Sequence, residues 1–135
     1  MRPSKGASGY LLDTNVILHI AISPGKLGKN IVRILEENPN VFFSPVSLTE
    51  IEIKALRGKL PQLANIHQDL VEQAFQEKPY LSKHAAEVRA FPSLANHDPY
   101  DRMILAQASA ENLTLITADE KLLELDFPWV LDAAS

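Results

Sequence analysis

The chain has 135 residues, of which 46% are hydrophobic and 22% charged, enough for one globular domain with a real core. Its 17 acidic and 13 basic residues leave a net charge of −4, which argues against a passive nucleic-acid-binding module. The absence of cysteine excludes disulfides and thiolate metal sites. No apolar run has the length of a signal peptide or a membrane span, so we expect a cytoplasmic protein without a membrane partner.

Short apolar runs and helical spacing predict two strands and four helices in the first part of the chain. Tyr10-Leu11-Leu12 indicates a buried strand that ends at Asp13, and Val41-Phe42-Phe43 indicates a second strand. Ser44-Pro45 predicts a helix start, because Ser is a good N-cap and Pro suits the first helical position. Helices are predicted over residues 14–21, 26–38, 44–56 and 63–76.

The rest of the chain continues this alternation. Asp98-Pro99 predicts the start of a helix that runs to about residue 110, and Leu113–Thr117 indicates a strand. Shorter strands are predicted at 80–81 and 129–131, and helices at 82–90 and 119–125. Alternating strands and helices predict a three-layer α/β domain with a central parallel sheet flanked by helices. We assign this domain to residues 9–131, between a flexible N-terminal arm at 1–8 and a C-terminal tail at 132–135.

Four acidic residues lie where a predicted strand ends or near a predicted helix start: Asp13, Glu50, Asp101 and Asp119. Ligands of parallel α/β sheets bind beyond the carboxyl ends of the strands. If the strands at 10–12 and 113–117 are neighbours, Asp13 and Asp119 lie at the same edge. Carboxylate oxygens are the ligands that hard cations prefer. The pattern therefore predicts a divalent-metal site suited to phosphodiester chemistry.

Two of these acids also have a structural interpretation. Asp13 fits the N-cap of the helix that follows it, and the sequence leaves the capping and functional roles open. Ser47 and Glu50 match a capping box. The better helix start at Ser44 places Glu50 in the second turn, however, where a capping role is not expected.

The two later helix starts separate capping residues from candidate ligands. Asp98 fits the N-cap position, so Asp101, three residues further on, is the better candidate for a metal ligand. Thr117 and Glu120 match a capping box, which would leave Asp119 free at the second helical position.

Four motifs of the chain resemble those of the PIN-domain nucleases, in particular the VapC toxins. Leu11–Asn15 resembles the opening motif, and Ser44–Leu60 resembles the second, with Thr49 where the family usually has Trp. The motif DPYDR at 98–102, followed by ILAQA at 104–108, is the most specific match. Leu113–Asp119 resembles the closing motif. Asn96-His97 stands where His-Arg is common, and we keep His97 out of the catalytic set as a loop residue.

The resemblance implies a ribonuclease that is the toxin of a toxin–antitoxin pair, uses Mg²⁺ or Mn²⁺, is inhibited by a cognate antitoxin and forms a homodimer. It implies that the four acids are both the catalytic and the metal-binding residues. Asp98 matches a further acid of the subgroup, and polar neighbours that orient ligands or water match Thr14, Asn15 and Thr117. Asp13 and Asp101 are our first choice as direct metal ligands, with Glu50 and Asp119 binding a second ion or orienting water.

Basic residues in or beside the motifs are candidates for holding RNA phosphates: Lys54, Arg57 and Arg102. Lys59 is equally well explained as solvated helix surface. Two rival interpretations remain. A receiver-like Mg²⁺-binding domain would need an acid adjacent to Asp13 and a Lys after the last strand. A non-catalytic α/β interaction module would explain the fold but not the four acids.

Overall fold

The computed structural model describes residues 9–135, and the arm predicted at residues 1–8 lies outside this range. Five strands form a single sheet in the order β3-β2-β1-β4-β5, and every neighbouring pair is parallel. The strands are β1 (Tyr10–Leu12), β2 (Val41–Phe43), β3 (Gln76–Glu77), β4 (Thr114–Thr117) and β5 (Val130–Asp132). The sheet confirms the predicted parallel α/β class.

Seven α-helices connect and cover these strands. They are α1 (Thr14–Ile22), α2 (Lys29–Glu37), α3 (Pro45–Leu56), α4 (Ile66–Glu72), α5 (Ser82–Glu87), α6 (Pro99–Ala110) and α7 (Glu120–Leu123). Short 3₁₀ turns lie at Pro24–Lys26, Val88–Ala90 and Pro92–Leu94. No helix within residues 9–135 is long and apolar enough to cross a membrane.

The core lies in two layers, one on each face of the sheet. Leu12, Phe43 and Ile116 pack with residues of α1, α2 and α4 on one face. Leu11 and Leu115 pack with residues of α6 on the other. Successive side chains of a strand point to opposite faces, so an uninterrupted apolar run such as Leu11-Leu12 is expected where both faces are covered. This arrangement confirms the three layers.

The third strand does not lie where the sequence predicted it. The predicted strand at 80–81 is wrong, because Gln76–Glu77 pairs with β2 and the backbone N–H of Lys78 donates to the Phe43 carbonyl at 2.8 Å. The helix predicted over 63–76 is shorter for the same reason. It covers only Ile66–Glu72, and Ala74 has a positive φ of 68°, which takes the chain out of the helix and into the strand.

The remaining differences concern element ends. The helix predicted from residue 26 begins at Lys29, after the 3₁₀ turn, and the last strand runs to Asp132 instead of 131. Residues 132–135 pack against the start of α2, where the N–H groups of Gly28 and Asn30 donate to the carbonyls of Ala133 (2.9 Å) and Ser135 (3.0 Å).

Candidate active site

Asp13 lies at the carboxyl edge of the sheet, fully buried between β1 and β4. Its Oδ1 accepts the N–H of Thr14 at 2.8 Å, and its Oδ2 accepts the hydroxyl of Thr117 at 2.7 Å. Asp13 is therefore the N-cap of α1, as one of its two interpretations predicted, and it also joins two neighbouring strands. A capping acid that is also tied to a neighbouring strand is held in one orientation.

Thr14, Asn15 and Thr117 form hydrogen bonds that hold the carboxyl edge of the sheet together around Asp13. The Thr117 hydroxyl donates its one proton to Asp13, and its oxygen also accepts the N–H of Asp119 at 3.0 Å. Asn15 accepts the N–H of Ala118 at 3.1 Å through its side-chain oxygen. The Thr14 hydroxyl donates to Ser47 on α3 at 3.0 Å. These bonds connect β1, β4 and α3 around Asp13.

Glu50 reaches the same edge from α3. Ser44 caps this helix by accepting the N–H of Val46 at 3.2 Å, so Glu50 lies in the second turn and the alternative capping box is wrong. Glu50 is only 3% exposed. Its Oε2 accepts the Lys54 ammonium at 2.7 Å, while its Oε1 is buried without a protein hydrogen-bond partner. A buried carboxylate oxygen left unpaired costs free energy unless an ion or water fills the place.

Asp98 caps α6, as predicted, while Asp101 on the first turn takes no part in the cap through its side chain. Asp98 is exposed and caps the helix, accepting the N–H groups of Tyr100 at 2.8 Å and Asp101 at 3.3 Å. The side chain of Asp101 is 14% exposed, and its Oδ2 lies 3.1 Å from Nε2 of His97. Asp101 is thus turned toward the cleft between the helices.

The predicted capping box of Thr117 and Glu120 is wrong. Asp119 is itself the N-cap of α7, and its Oδ1 accepts the N–H groups of Lys121 at 2.8 Å and Leu122 at 3.1 Å. The Thr117 hydroxyl oxygen accepts the N–H of Asp119, the cap residue itself, so Thr117 is not the N-cap of α7. The other oxygen of Asp119, Oδ2, lies 3.8 Å from Nε2 of His97.

His97 is the site residue that the sequence reasoning missed. Its side chain is only 8% exposed. His97, Asp101 and Asp119 each offer one ligand atom, and these atoms all lie within 4.8 Å of one another. The only sequence signal was the spacing of four residues to Asp101. A spacing of four residues brings two side chains together only when both lie on one helix, and His97 precedes α6.

The site carries more negative charge than its basic groups balance. Burial, above all, raises the pKa of Asp13 to about 6. Burial, followed by the charges of Asp13 and Asp119, raises the pKa of Asp101 well above its ordinary value. The hydrogen bond to Glu50 raises the pKa of Lys54, so this ammonium stays charged. Carboxylates with raised pKa values and no balancing cation are typical of sites that bind one.

A cleft of about 510 Å³ opens over these residues. Asp13 lies beneath it, while the other three acids line it together with Asn15, Thr14, Lys54, Asp98, His97 and Lys121. Arg57 and Arg102 do not line it. Arg57 is exposed at the end of α3, and Arg102 donates to the Ala95 carbonyl at 3.2 Å, while its buried Nε has no partner. Lys121 is a basic residue of the cleft that the sequence did not single out.

A parallel α/β domain with acids from separate elements at the carboxyl edge of its sheet belongs to the class of folds that bind ligands at this edge, and carboxylates are ligands that hard cations prefer. The family model of the PIN domain matches residues 10–128 of the chain. The chain therefore belongs to the PIN-domain family, which confirms the resemblance found in the motifs. None of the curated protein sequences is significantly similar to it.

Solved structures share the fold at low sequence identity. VapBC2 from Rickettsia felis, bound to a promoter DNA fragment, has a TM-score of 0.67 at 19% identity, covering 91% of this chain and 96% of that one. A toxin–antitoxin complex from Klebsiella pneumoniae has a TM-score of 0.62 at 19% identity, covering 91% and 96%. DNA-bound VapBC from Salmonella typhimurium has a TM-score of 0.60 at 23% identity, covering 96% and 97%.

Proposed function

We propose that this protein is a divalent-metal-dependent ribonuclease and the toxin of a toxin–antitoxin pair. The observation that carries the proposal is the convergence of Asp13, Glu50, Asp101 and Asp119 from four separate elements on one cleft edge. A structural role explains only part of this arrangement, because the capping contacts use one oxygen of Asp119 and leave Glu50 Oε1 unpaired.

The donor set fits Mg²⁺ or Mn²⁺. All four acids offer carboxylate oxygens, and Oε1 of Glu50 is a buried acceptor that no protein donor uses. Asp13 and Asp101 would hold the ion directly, and Glu50 and Asp119 would hold a second ion or orient the attacking water. Bound there, the metal supplies Lewis-acid activation of the phosphodiester and of the water that attacks it.

The chain's own groups prepare this edge for the reaction. Thr14 and Thr117 fix both oxygens of Asp13, so this carboxylate does not need to reorient. Asn15 holds the turn after β4 through Ala118. Lys54 and Lys121 bring positive charge to a cleft that must accept an anionic phosphodiester. Arg57 and Arg102 lie outside the cleft and would contact only more distant phosphates.

The antitoxin half of the proposal rests on the family and on the matched structures, which are described as VapBC or toxin–antitoxin complexes. A groove of about 490 Å³ lies between Ile20 of α1 and the segment from Gln62 to Gln73. Its lining mixes apolar and polar side chains and suits an amphipathic helix, and an antitoxin arginine that reached the acids would pair with two carboxylates at once. A homodimer and a cytoplasmic location complete the proposal on the family resemblance.

Cleavage of single-stranded RNA by the purified full-length chain tests the nuclease. We expect cleavage with Mg²⁺ or Mn²⁺, none with EDTA, and none by Glu50→Gln. Asp126→Asn is the matched control, because Asp126 is an exposed acid outside the cleft whose positive φ of 55° suits Asn. Equal cleavage by Glu50→Gln and by the control would contradict the role of the acidic site. No cleavage by the wild type with either ion would contradict the nuclease itself and favour the non-catalytic module or the receiver-like domain.

Co-expression with the neighbouring small open reading frame, followed by pull-down, tests the toxin. We expect a stable complex that no longer cleaves RNA. A chain that emerges alone, active and harmless to its host would remove the toxin–antitoxin part and leave the nuclease standing.

A further inference from the structure

The position of His97 gives the acidic cleft a nitrogen donor. Its Nε2 lies 3.1 Å from Oδ2 of Asp101 and 3.8 Å from Oδ2 of Asp119, and one ligand atom from each residue falls within a common 4.8 Å. A divalent ion with bonds of about 2.1 Å holds opposite donors about 4 Å apart. The three atoms are therefore close to the spacing that a shared ion requires.

The local fold holds the imidazole in this place. The N–H of His97 donates to the carbonyl of Leu94 at 2.9 Å, and the side chain of Leu94 is buried in the layer under α6. The next residue, Asp98, caps α6. His97 is thus fixed on both sides, by a buried anchor before it and by a helix cap after it.

A second observation indicates that the cleft takes a cation beyond its own basic groups. Glu50 Oε1 is buried and unpartnered although Lys54 already occupies the other oxygen of the same carboxylate. The acids that line the cleft outnumber its basic groups: Glu50, Asp98, Asp101, Asp119 and Glu120 against Lys54, Lys121 and His97. A histidine that served only as a counter-ion to Asp101 would leave this excess in place.

We propose that Nε2 of His97 is a metal ligand, and that it forms with Asp101 and Asp119 a mixed nitrogen–oxygen site that favours Mn²⁺ over Mg²⁺. Mn²⁺ shares the preference of Mg²⁺ for carboxylates, but as a transition metal it accepts an imidazole nitrogen more readily than Mg²⁺, which is bound through oxygen ligands and waters. This inference rests on the proposed metal dependence and adds which ion the site prefers and why.

The test compares the affinities of the full-length protein for Mn²⁺ and Mg²⁺ by calorimetry. Loss of a partner that only orients a ligand already lowers metal affinity about 10–100-fold, so we expect His97→Gln to weaken Mn²⁺ binding at least about tenfold. Mg²⁺ binding should change much less, because Gln offers an oxygen. The matched control is His67→Gln, since exposed His67 lies 3.4 Å from Glu77 and outside the cleft.

A second measurement detects the ligand directly and begins with the wild type. Electron spin-echo spectroscopy of the Mn²⁺-loaded wild type should detect coupling to one imidazole ¹⁴N, and folded His97→Gln should lose it. Absence of this coupling in the wild type, or an unchanged Mn²⁺-to-Mg²⁺ affinity ratio in folded His97→Gln, overturns the inference. If either of these results is found while the wild type still binds metal and cleaves RNA, the role of His97 as a ligand is refuted and the proposed function stands. A wild type that binds neither ion removes the proposed function as well.

Discussion

Two histidine–carboxylate pairs of this protein both place Nε2 of the imidazole beside a carboxylate, but lysines surround one pair and acids surround the other. In the first, Nε2 of fully buried His84 lies 2.6 Å from Glu111. Its Nδ1 accepts the N–H of Leu81 at 2.8 Å, so the neutral ring carries its proton on Nε2 and donates it to Glu111. Lys83 and Lys78 lie 3.0 and 4.0 Å from the same carboxylate. The hydrogen bond from His84 and these lysines lower the pKa of Glu111.

In the second pair, Nε2 of His97 lies 3.1 Å from Oδ2 of Asp101, but the charges that act most strongly on Asp101 are those of other acids. Burial and the carboxylates of Asp13 and Asp119 raise the pKa of Asp101. The comparison separates a structural pair from a pair in the candidate site. Where lysines balance the carboxylate, the pair joins α5 to α6. Where acids surround it, the carboxylate keeps an unbalanced charge, which agrees with the proposed cation site.

The largest expected effect follows from removing charge at the acidic site. Asp13→Asn or Asp101→Asn should lower RNA cleavage by at least about a hundredfold, the size of losing one electrostatic contact to a transition state. The amide keeps the shape of the side chain but loses the charge that a hard cation requires. Cleavage assays with Mg²⁺ and with Mn²⁺, alongside circular dichroism, measure this. Near-wild-type cleavage by either folded variant would refute the assignment of that residue.

His84→Ala should act in the opposite way, on stability and not on chemistry. It removes a fully buried ring with two hydrogen bonds and leaves a cavity, so we expect a loss of about 2–4 kcal/mol in the free energy of unfolding. Urea unfolding measures this loss. Cleavage per folded molecule should stay at the wild-type level. A folded His84→Ala protein that had lost its activity would contradict the separation of the two pairs.

Asp98→Ala tests whether Asp98 acts as a helix cap or as a residue of the metal site. Asp98 caps α6, and loss of such a cap costs about 0.5–2 kcal/mol. We expect a lower melting temperature with only partial loss of cleavage, and Asp98→Asn, which keeps a capping oxygen, should recover most of the stability. An Asp98→Ala protein with unchanged melting and no activity would instead make Asp98 a metal-site residue.

The smallest effect is the pH dependence of stability without metal. The folded-state pKa of Asp101 is raised above its ordinary value of 3.8, so the folded protein binds this proton more tightly than the unfolded chain does. Stability therefore falls as the pH rises above about 4, and Asp101→Asn escapes this loss. In EDTA, the melting temperature of Asp101→Asn minus that of the wild type should grow from pH 5 to pH 8. A melting-temperature difference that stays constant from pH 5 to pH 8 would show that the titration of Asp101 does not lower the stability of the folded protein.

Glu111 provides the contrast within the same experiment. Its lowered pKa contributes stability that is present above its ordinary value of 4.5 and is lost as the pH falls through the folded-state pKa. Glu111→Gln should therefore be less stable than the wild type at pH 7, and the gap should close below about pH 4. Added Mn²⁺ should stabilise the wild type and Glu111→Gln equally, because the folded forms of both proteins keep the acidic site. The stability difference between them should therefore stay unchanged.

Local signals predicted β1, β2 and β4 and the capping residues Ser44 and Asp98, because each depends on a few adjacent side chains. The third strand was missed because Gln76 and Glu77 are both exposed edge residues with no apolar pattern. His97 was missed because its importance depends on Asp119, which is distant in sequence and reaches it only through the fold. Asp119 was misplaced because the helix begins at Glu120 and not earlier, so Asp119 and not Thr117 takes the cap position.

The bond between Thr117 and Asp13 also has a consequence for synthesis on the ribosome. A growing chain makes Asp13 early, but β1 receives its neighbour β4 only after the segment that contains Thr117 has left the exit tunnel. Pairing of parallel strands this far apart in sequence is a late and slow folding step. The cleft therefore assembles only after the segment that contains Thr117 has emerged from the ribosome.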